Sequence, residues 1–481
     1  MSRPSASTGT LVIDQGTHAT RCVLFDREGT QRACVEEGIE LSREGVRVEQ
    51  DPNQIIGSAQ RVLDAACRRA GELGLTLDAA ALTTQRSTVV AWDRPTGRPL
   101  APALSWQDTR AESRVAALES KASEIEDRTG LRLSPHYGAS KLAWLLENVP
   151  EVGDAARRGR LAAGPLVAYL ISHLVIGNPM LVDHANAART LLLNLKSRDW
   201  DQQLLDLFGI PRGLLPSAQP IRAHYGLLAE SRLPLLAVTG DQNAAVQADG
   251  ELPEHCAFAN LGSGAFVLQP TGTRLIRHPP LLSGLIDSTD GQTRYTLEGT
   301  VNGAGSALDW AREHHQWDIP DGALSDILEQ CPDPPVFVNT IGGLGSPWWR
   351  PGLRAHWLDR QSEIVPRSGP GLAAVLESIA FMLAENLSLL QAAGQTVERL
   401  IIAGGLSRID GLCQRLADLG QVTVERRHQI EASARGAAWL ARGCPENWRV
   451  DPGDHFQPRD NAPLEQRRRH FLDGIHRILQ T

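Results

Sequence analysis

The chain contains two segments of the same design, one in each half, in which an apolar strand is followed by a glycine turn and a second apolar strand. The first covers residues 10–26, with its tip at residues 15–18, and the second covers residues 257–267. Each pattern predicts a tight β-hairpin. Two hairpins of one design indicate an internal duplication, and therefore two similar domains that face a cleft.

Strand and helix patterns alternate along the rest of the chain. Apolar residues at helical spacing predict a helix over residues 55–70, and the short apolar run at residues 80–84 predicts a parallel strand. In the second half, a long helix over residues 371–391 leads into a strand at residues 399–405 that ends in two glycines. Residues 111–235 are predicted to be mostly helical. This alternation predicts an α/β fold.

A length of 481 residues is too great for one hydrophobic core. We predict an N-terminal domain over residues 1–250, a C-terminal domain over residues 251–443, and a linker with a terminal helix over residues 444–481. The net charge of −8 argues against nucleic acid as a partner. Seven cysteines without a Cys-x-x-Cys pair argue against a disulfide framework or a zinc site, and fit a reducing cytoplasm.

Two further features bear on targeting. The first eight residues are polar and lack the apolar core of a signal peptide. The most apolar segment, residues 166–176, is too short to span a bilayer and predicts a buried helix. We therefore expect a cytoplasmic protein without stable membrane insertion.

The strand before residue 241 ends in a carboxylate. Residues 235–238 are an apolar run, a Thr-Gly step breaks it, and Asp241 opens a short helix-prone segment. A carboxylate at a strand end is held rigidly while the turn exposes it, so it is well placed for chemistry. The alternative is an N-cap, because an aspartate there accepts from free helix N–H groups. The two hairpins that flank Asp241 in sequence favour the chemical role.

The glycine turns are suited to binding phosphate. Backbone N–H groups at such turns can point inward and hold anionic oxygens, and Thr17 and Ser263 would add hydroxyl donors at matching positions. Arg21 would neutralise charge, and Asp14 suits a Mg²⁺ site reached through water. Taken singly, each feature is also explained by a bare hairpin or an aspartate turn. Further glycines at strand-to-helix turns support phosphate binding, at residues 303–305 and 404–405.

Arg86 and Trp106 each follow a predicted strand, so we expect both to project toward the same cleft. Polar groups over an aromatic wall suit a small polyhydroxylated substrate. The alternatives are a surface ion pair for Arg86 and core packing for Trp106.

The set of motifs resembles the FGGY family of carbohydrate kinases over residues 11–443, and is most similar to the members that phosphorylate glycerol. It is highly specific for the family and less specific for the substrate. The motifs are Asp14-Gln-Gly-Thr17 with Arg21, Val48-Glu-Gln-Asp-Pro52, Thr84-Gln-Arg86, Val90-Ala-Trp-Asp93, Thr96-Gly97, Trp106-Gln107, Asn186-Ala-Ala-Arg-Thr190, Gly240-Asp-Gln242, Gly262-Ser-Gly264 with Phe266, Leu297-Glu-Gly299, Gly345-Ser-Pro347, Leu376-Glu-Ser-Ile-Ala380, Gly404-Gly405 and Gly436-Ala-Ala438.

The resemblance implies two actin-like (ribonuclease H-like) ATPase domains facing a catalytic cleft, with a short C-terminal helical extension. It implies that Asp241 is the general base for transfer from ATP, with Asp14 and Asp241 on the side of a Mg²⁺ ion. The residues expected at the acceptor are Arg86, Ser87, Trp106, His136, Asp241, Gln242 and Phe266. The residues expected at the nucleotide are Thr17, His18, Arg21, Gly262, Ser263, Gly264, Gly305, Asp309, Gly404, Gly405 and Ile409.

Several positions depart from the family pattern. Ser87 replaces a glutamate, His136 replaces a tyrosine, and Ile409 replaces an asparagine near the adenine; His18 and Ala19 stand where hydroxyl residues are usual. Losing the glutamate removes a strong acceptor for two hydroxyls, and serine leaves more room. These changes fit a larger polyol or a ketose, or weak glycerol binding.

The first functional hypothesis is ATP-dependent phosphorylation of a small polyol or sugar, with glycerol as the best single acceptor. The second is a pentulose or longer-chain kinase of the same family. An actin-like ATPase switch or chaperone is a third, but it has no need of an acceptor pocket. A non-catalytic member is a fourth, and the retained Asp14 and Asp241 argue against it.

The C-terminal segment has two interpretations. Residues 445–463 predict a linker, and residues 464–480 predict a helix with one apolar face. Residues 467–469 are three arginines beside that face, which suggests membrane or partner binding, or docking on the core; docking is favoured. A homodimer or a homotetramer is left open.

Overall fold

The computed structural model describes residues 7–317, 319–358, 367–427, 431–446, 448 and 453–480. The strands of the first half are β1 (Ser7–Gln15), β2 (Ala19–Asp26), β3 (Gln31–Gly38), β4 (Ser42–Glu44), β5 (Arg47–Gln50), β6 (Leu75–Thr84), β7 (Val89–Asp93), β8 (Ala103–Leu104), β9 (Leu161–Pro165), β10 (Leu181–Asp183), β11 (Leu193–Asn194), β12 (Asp199–Trp200), β13 (Ser217–Gln219) and β14 (Leu235–Gly240). Its helices are α1 (Pro52–Glu72), α2 (Glu112–Ala116), α3 (Ala122–Thr129), α4 (Gly138–Asn148), α5 (Pro150–Arg157), α6 (Leu166–Leu174), α7 (His184–Ala188), α8 (Gln202–Phe208) and α9 (Asp241–Ala245).

The described part of the second half also alternates strands and helices. Its strands are β15 (Cys256–Leu261), β16 (Ala265–Pro270), β17 (Leu282–Ser288), β18 (Thr293–Val301), β19 (Val336–Val338), β20 (His356–Leu358), β21 (Arg399–Ala403), β22 (Thr423–Arg426) and β23 (Asp454–Phe456). Its helices are α10 (Gly305–His315), α11 (Leu324–Gln330), α12 (Ser368–Ala392), α13 (Asp410–Gly420), α14 (Ala432–Ala441) and α15 (Ala462–Gln480).

The two main sheets share one plan. The first has the order β14-β6-β1-β2-β3, and the second has the order β17-β18-β16-β15-β21-β22-β23. In each, an antiparallel hairpin, β1-β2 or β15-β16, pairs on its first strand with a parallel strand, β6 or β21. Both predicted hairpins, the parallel strand at residues 80–84 and the α/β class are therefore confirmed. A further sheet, β4-β5-β8-β7-β9, lies beside the first.

The predicted helix over residues 55–70 is α1, which begins three residues earlier. The Asp51 side chain accepts from the Asn53 N–H as N-cap, and Pro52 occupies the first turn, where a missing N–H costs nothing. Its apolar positions, including Ile55 and Val62, are buried against the first sheet.

The prediction that residues 111–235 are mostly helical is wrong in part. Helices α2 to α8 occupy much of this region, but the short strands β9 to β13 also lie in it. These strands have two to five residues, which is too short for a period of two to stand out in the sequence.

The chain crosses between the lobes more than once. Helix α14 lies in the sequence of the second half, yet it packs against β1, β6, β14 and α9, and its Ala434, Ala437 and Trp439 belong to the first lobe's core. A Cβ at Gly436 would overlap the carbonyl oxygen of Ala244 in α9, so the two helix backbones touch there. Helix α14, which lies in the predicted second domain over residues 251–443, therefore packs on the first lobe.

The segment at residues 445–463 was expected to be a linker, and that expectation is wrong in part. Strand β23 pairs antiparallel with β22 at the edge of the second sheet. Trp448 packs near Phe25 of the first lobe, with ring centroids 6.3 Å apart. The linker was predicted from its Pro, Asp and Arg content, and composition alone does not reveal a strand pairing or a ring contact of a few residues.

Helix α15 docks on the second lobe, as favoured from the sequence. Leu464, Phe471 and Ile475 are fully buried in that core, and Arg467 donates two hydrogen bonds to Glu377 of α12, at 2.7 and 2.8 Å. Within the described residues, α12 is long and apolar enough to span a membrane, but most of it is buried inside the lobe. The arginines at 467–469 pair with Glu377, Glu385 and Glu465.

Replacing Phe471 with alanine is expected to lower the free energy of unfolding by about 3–4 kcal/mol, because the ring is fully buried. It packs 5.5 Å from the Phe381 ring. Chemical denaturation of the full chain measures the change. His476→Ala, at an exposed position of the same helix, is the control and should stay within about 0.5 kcal/mol of wild type. Equal stability of both variants would contradict the docking of α15.

Candidate active site

The candidate site lies where three parallel strands of the first sheet end. Asp14 of β1, Thr83 of β6 and Thr239 of β14 occupy one row of the register. Asp241 follows β14 and Arg86 follows β6, so both lie just past the same edge as Asp14. The carboxyl ends of parallel strands are where α/β sheets place their ligands.

Two carboxylates face each other across this edge. Asp14 is nearly buried, and burial together with the negative charge of Asp241 raises its pKa to about 7. Burial also raises the pKa of Asp241, partly opposed by Arg86. The Asp241 side chain keeps one third of its surface exposed, so it can still reach a ligand. The N-cap alternative is wrong, because the α9 N-cap is Gly240 and makes no side-chain capping bond.

Arg86 is the centre of the polar contacts. Its guanidinium donates to Gln242 and to Asn243 Oδ1, the latter at 3.1 Å, and its Nε lies 3.9 Å from Asp241 Oδ1. Burial lowers the pKa of Arg86 to about 10. The alternative of a surface ion pair is wrong, because only 8% of Arg86 is exposed.

A carboxylate of the second lobe, that of Glu298, reaches this site. Glu298 of β18 accepts from both terminal nitrogens of Arg189, and its Oε2 lies 4.0 Å from Arg86 Nη1. Burial alone would raise the pKa of Glu298, but the charges of Arg189 and Arg86 outweigh it and lower the pKa. Sequence reasoning assigned no role to Glu298; the signal was a charged residue within an otherwise buried strand.

Trp106 connects the first hairpin to the acceptor side. Its Nε1 donates to Thr17 Oγ1 at 3.1 Å, and that hydroxyl donates to Gln85 Oε1 at 2.9 Å. The Thr17 proton is thus used within the protein. A phosphate contact from this hydroxyl would have to replace its bond to Gln85, so the role of Thr17 at the nucleotide stays a prediction.

His136 lies against Trp106, with ring centroids 5.5 Å apart. Burial and the charges of Lys141, Arg189 and Arg86 lower its pKa well below the usual range. His136 is therefore a neutral imidazole near neutral pH, able to donate to one hydroxyl or accept from another. Arg86, Trp106 and His136 are brought together as the sequence predicted.

Ser87 is held more tightly than expected. Its φ of 64° is in the left-handed region, which costs a residue other than glycine about 1 kcal/mol. Its hydroxyl donates to the Arg189 carbonyl at 3.3 Å, and its own carbonyl accepts from Lys141 Nζ at 3.2 Å. Lys141 Nζ also donates to the His136 carbonyl at 2.7 Å. The buried Lys141 ammonium therefore fixes both unusual positions of the pocket.

Lys141 should make stability depend on pH. Burial lowers its pKa from 10.5 to about 7, so between these values the unfolded chain binds more protons than the folded one. The stability contributed by Lys141 therefore rises with pH through that window. We expect the unfolding free energy of wild type to rise relative to that of Lys141→Met from pH 7 to 9, by up to about 1.4 kcal/mol per pH unit. Urea titrations at several pH values measure it.

Lys121→Met is the matched control, since Lys121 is exposed. Its difference from wild type should stay constant over the same pH range. If the unfolding free energies of both variants followed wild type in parallel across this pH range, the lowered pKa of Lys141 would be contradicted.

The glycine turns of the second lobe also meet. The N–H of Gly305 donates to the Gly262 carbonyl at 2.9 Å, and the Ala304 N–H donates to the Ser263 carbonyl at 3.0 Å. This places the N-terminus of α10 against the hairpin, and its first N–H groups are used by the hairpin carbonyls, including that of Ser306, which donates to the Ser263 carbonyl at 3.0 Å. Gly404 has a φ of 93°, and a Cβ there would lie 2.6 Å from the Leu261 carbonyl oxygen. Gly404 follows β21, the strand that pairs with β15.

The remaining predicted residues differ in their surroundings. Arg21 forms an ion pair with Glu36, and its charge opposes part of the rise in the pKa of Asp14, so it lies beside the first hairpin. His18 and Asp309 are exposed, and Phe266 is half-buried. Ile409 differs: its side chain is buried in the second lobe's apolar cluster, and an aliphatic side chain offers a nucleotide no hydrogen bond. A hydrogen bond from the side chain at that position is therefore excluded.

The donor set is compatible with a magnesium ion shared with phosphate. No group of three or more His, Cys, Asp or Glu residues that could hold a metal occurs in the described part of the chain. Mg²⁺ is usually held by one or two carboxylates together with substrate phosphates and water. Asp14 and Asp241 are two such carboxylates, and a cation between them would reduce the repulsion that Asp241 exerts on Asp14.

Comparison with known proteins gives one consistent result. Residues 10–242 match the N-terminal domain of the FGGY family of carbohydrate kinases, and residues 257–442 match its C-terminal domain. A glycerol kinase from Alcanivorax borkumensis is 33% identical over 98% of both chains. Another from Trichlorobacter lovleyi is 36% identical over 90% of this chain and 89% of its own.

Solved structures agree in fold. The glycerol kinase of Plasmodium falciparum with ADP has a TM-score of 0.88 at 25% identity, covering 100% of this chain and 99% of its own. A xylulose kinase from Rhodospirillum rubrum has a TM-score of 0.84 at 22% identity, covering 98% and 99%.

Proposed function

The chain belongs to the FGGY family of carbohydrate kinases, and from this premise we propose that it transfers the γ-phosphate of ATP to a hydroxyl of glycerol or of a longer polyol or ketose at the Asp241 site. The proposal rests chiefly on one observation. Asp241 stands at the end of β14 between Arg86, which can hold an acceptor, and Asp14, beside the first glycine hairpin.

Each side chain has a defined task in this proposal. Arg86 donates to an acceptor hydroxyl, and Trp106 and His136 form one wall of the pocket. Asp241 takes the proton of the attacking hydroxyl; its raised pKa makes it a stronger base than an exposed aspartate. The glycine turn of the second hairpin, at residues 262–264, would receive phosphate oxygens through its backbone.

Asp14 and Asp241 would hold Mg²⁺ together with the nucleotide. A bound Mg²⁺ supplies charge neutralisation on the transferring phosphoryl group. The two lobes on either side of the cleft can exclude water, which protects the γ-phosphate from hydrolysis.

The identity of the acceptor is tested by a panel of polyols and ketoses in a coupled assay of ADP release. We expect turnover with glycerol, with at least one longer polyol or ketose, or with both. ADP release at the same rate with and without every acceptor would contradict the kinase proposal. It would favour an ATPase switch, the competing function.

Ser87→Glu should separate the candidate acceptors. A carboxylate acceptor is worth roughly 1 kcal/mol more than a neutral one, so glycerol should bind about fivefold more tightly, while a longer substrate loses room. The KM values for glycerol and for the best longer acceptor measure this. Ser87→Gln, with similar size and no charge, is the control. A micromolar KM for glycerol in wild type with no gain in Ser87→Glu would contradict this view of the pocket.

We further propose that the enzyme works in the cytoplasm on soluble substrates, which its net charge of −8 and absence of a Cys-x-x-Cys pair support. Assembly into a homodimer or a homotetramer stays a prediction, and size-exclusion chromatography with light scattering would decide it.

A further inference from the structure

Glu298 is a buried carboxylate that reaches the pocket from the opposite lobe. It belongs to β18 of the second sheet and is 1% exposed. Its two oxygens face two arginines of the first lobe: it accepts from Arg189 at both terminal nitrogens and lies 4.0 Å from Arg86 Nη1. Arg86 and Arg189 are themselves more than 90% buried.

Glu298 balances the positive charge of the two buried arginines. Among the residues that the structure describes, Asp241 and Glu298 are the two carboxylates within 4.0 Å of Arg86, and Asp241 is assigned to the acceptor proton. Without Glu298, the buried guanidinium groups of Arg86 and Arg189 would repel each other, and Arg189 would lose the carboxylate to which it donates. Buried cations without a partner are costly, so the arginines would move or take up other contacts.

We propose that Glu298 is a positioning residue of the second lobe that aims Arg86 at the acceptor. The inference rests on the proposed function, since it requires Arg86 to bind an acceptor hydroxyl. Glu298 acts through Arg86 and does not touch the substrate. Because it comes from the lobe that carries the second glycine hairpin, the acceptor pocket is complete only while the two lobes are together.

The chain supplies a matched control. Asp287 of β17 is also buried and also crosses between the lobes, accepting from Arg222 Nε at 3.0 Å with both oxygens. It pairs across the sheet with Arg294, which is four residues, or about 13 Å, along β18 from Glu298. Asp287→Asn therefore removes an interlobe ion pair of the same kind away from Arg86.

The test compares Glu298→Gln with Asp287→Asn in the full-length enzyme. Glu298→Gln should raise the KM for the best acceptor of the panel about tenfold, the equivalent of one charge-assisted hydrogen bond. The KM for ATP and kcat should change less than about threefold. Asp287→Asn should lower the melting temperature without changing either KM. Equal KM values for acceptor in Glu298→Gln and Asp287→Asn would overturn the inference.

Two further results distinguish a failure of this inference from a failure of the proposed function. If Glu298→Gln does not fold, Glu298→Asp keeps the charge but withdraws it by one methylene, and an acceptor KM within about twofold of wild type would overturn the inference. A wild-type enzyme that phosphorylates no polyol or ketose would instead contradict the proposed function.

Discussion

Asp241→Asn is expected to lose about 10³-fold in kcat while keeping its fold and its affinity for nucleotide. The amide has the same shape as the carboxylate but cannot accept the hydroxyl proton, and general-base catalysis is worth about 10²–10⁴-fold. The side chain is one-third exposed, lies 3.9 Å from Arg86 and accepts from the Gln242 N–H at 2.6 Å, contacts that an amide oxygen of the same shape can keep, so we expect the fold to be retained. Coupled ADP release measures kcat, and fluorescence titration measures nucleotide affinity.

Asp290→Asn, in the exposed turn between β17 and β18, is the control and should match wild type. Turnover of Asp241→Asn within about tenfold of wild type would remove Asp241 as the base. A loss of nucleotide affinity equal to the loss of kcat would assign it to binding instead.

Gly436→Ala is expected to lower stability by about 2–4 kcal/mol and kcat by about 10²-fold. The added methyl would overlap the Ala244 carbonyl oxygen, and overpacking of backbone against backbone cannot be relieved by a side-chain rotation. Helix α9 would have to shift, and α9 begins at Asp241. A displacement of about 1 Å at a reacting group can cost about 10²-fold in rate. Denaturation and steady-state kinetics measure the two effects.

Ser433→Ala lies on the same helix at a half-exposed position and serves as the control. Alanine raises helix propensity at both positions, so any loss in Gly436→Ala comes from the contact. Wild-type kcat in a destabilised Gly436→Ala would show that α9 does not transmit the displacement to Asp241.

The sequence predicted the parts of the site that lie at ends of strands. Asp14, Arg86 and Asp241 each follow an apolar run, and parallel strands bring such residues to one edge. Both glycine hairpins carry a local signal as well, because the turn requires particular residues. These features depend on neighbours in the sequence, and the structure places them as expected.

Contacts between distant segments were not predictable in the same way. Lys141 contacts Ser87 and His136, and Glu298 contacts Arg189 across 109 residues. A buried lysine on an otherwise apolar helix face looks in sequence like a surface residue. Ser87 gave no sign of its left-handed backbone, since serine adopts it only when its surroundings compensate the strain.

The packing of α14 sets the order in which the chain can fold during synthesis. The first lobe's core needs Ala434, Ala437 and Trp439, which leave the ribosome only after nearly the whole second lobe has been made. Until then one face of the first sheet is uncovered, and exposed apolar strands at that stage invite aggregation. A fragment ending at residue 250 would keep that bare face permanently. Separate expression of the two halves should therefore give insoluble protein, and co-expression should restore solubility only when the second half includes α14.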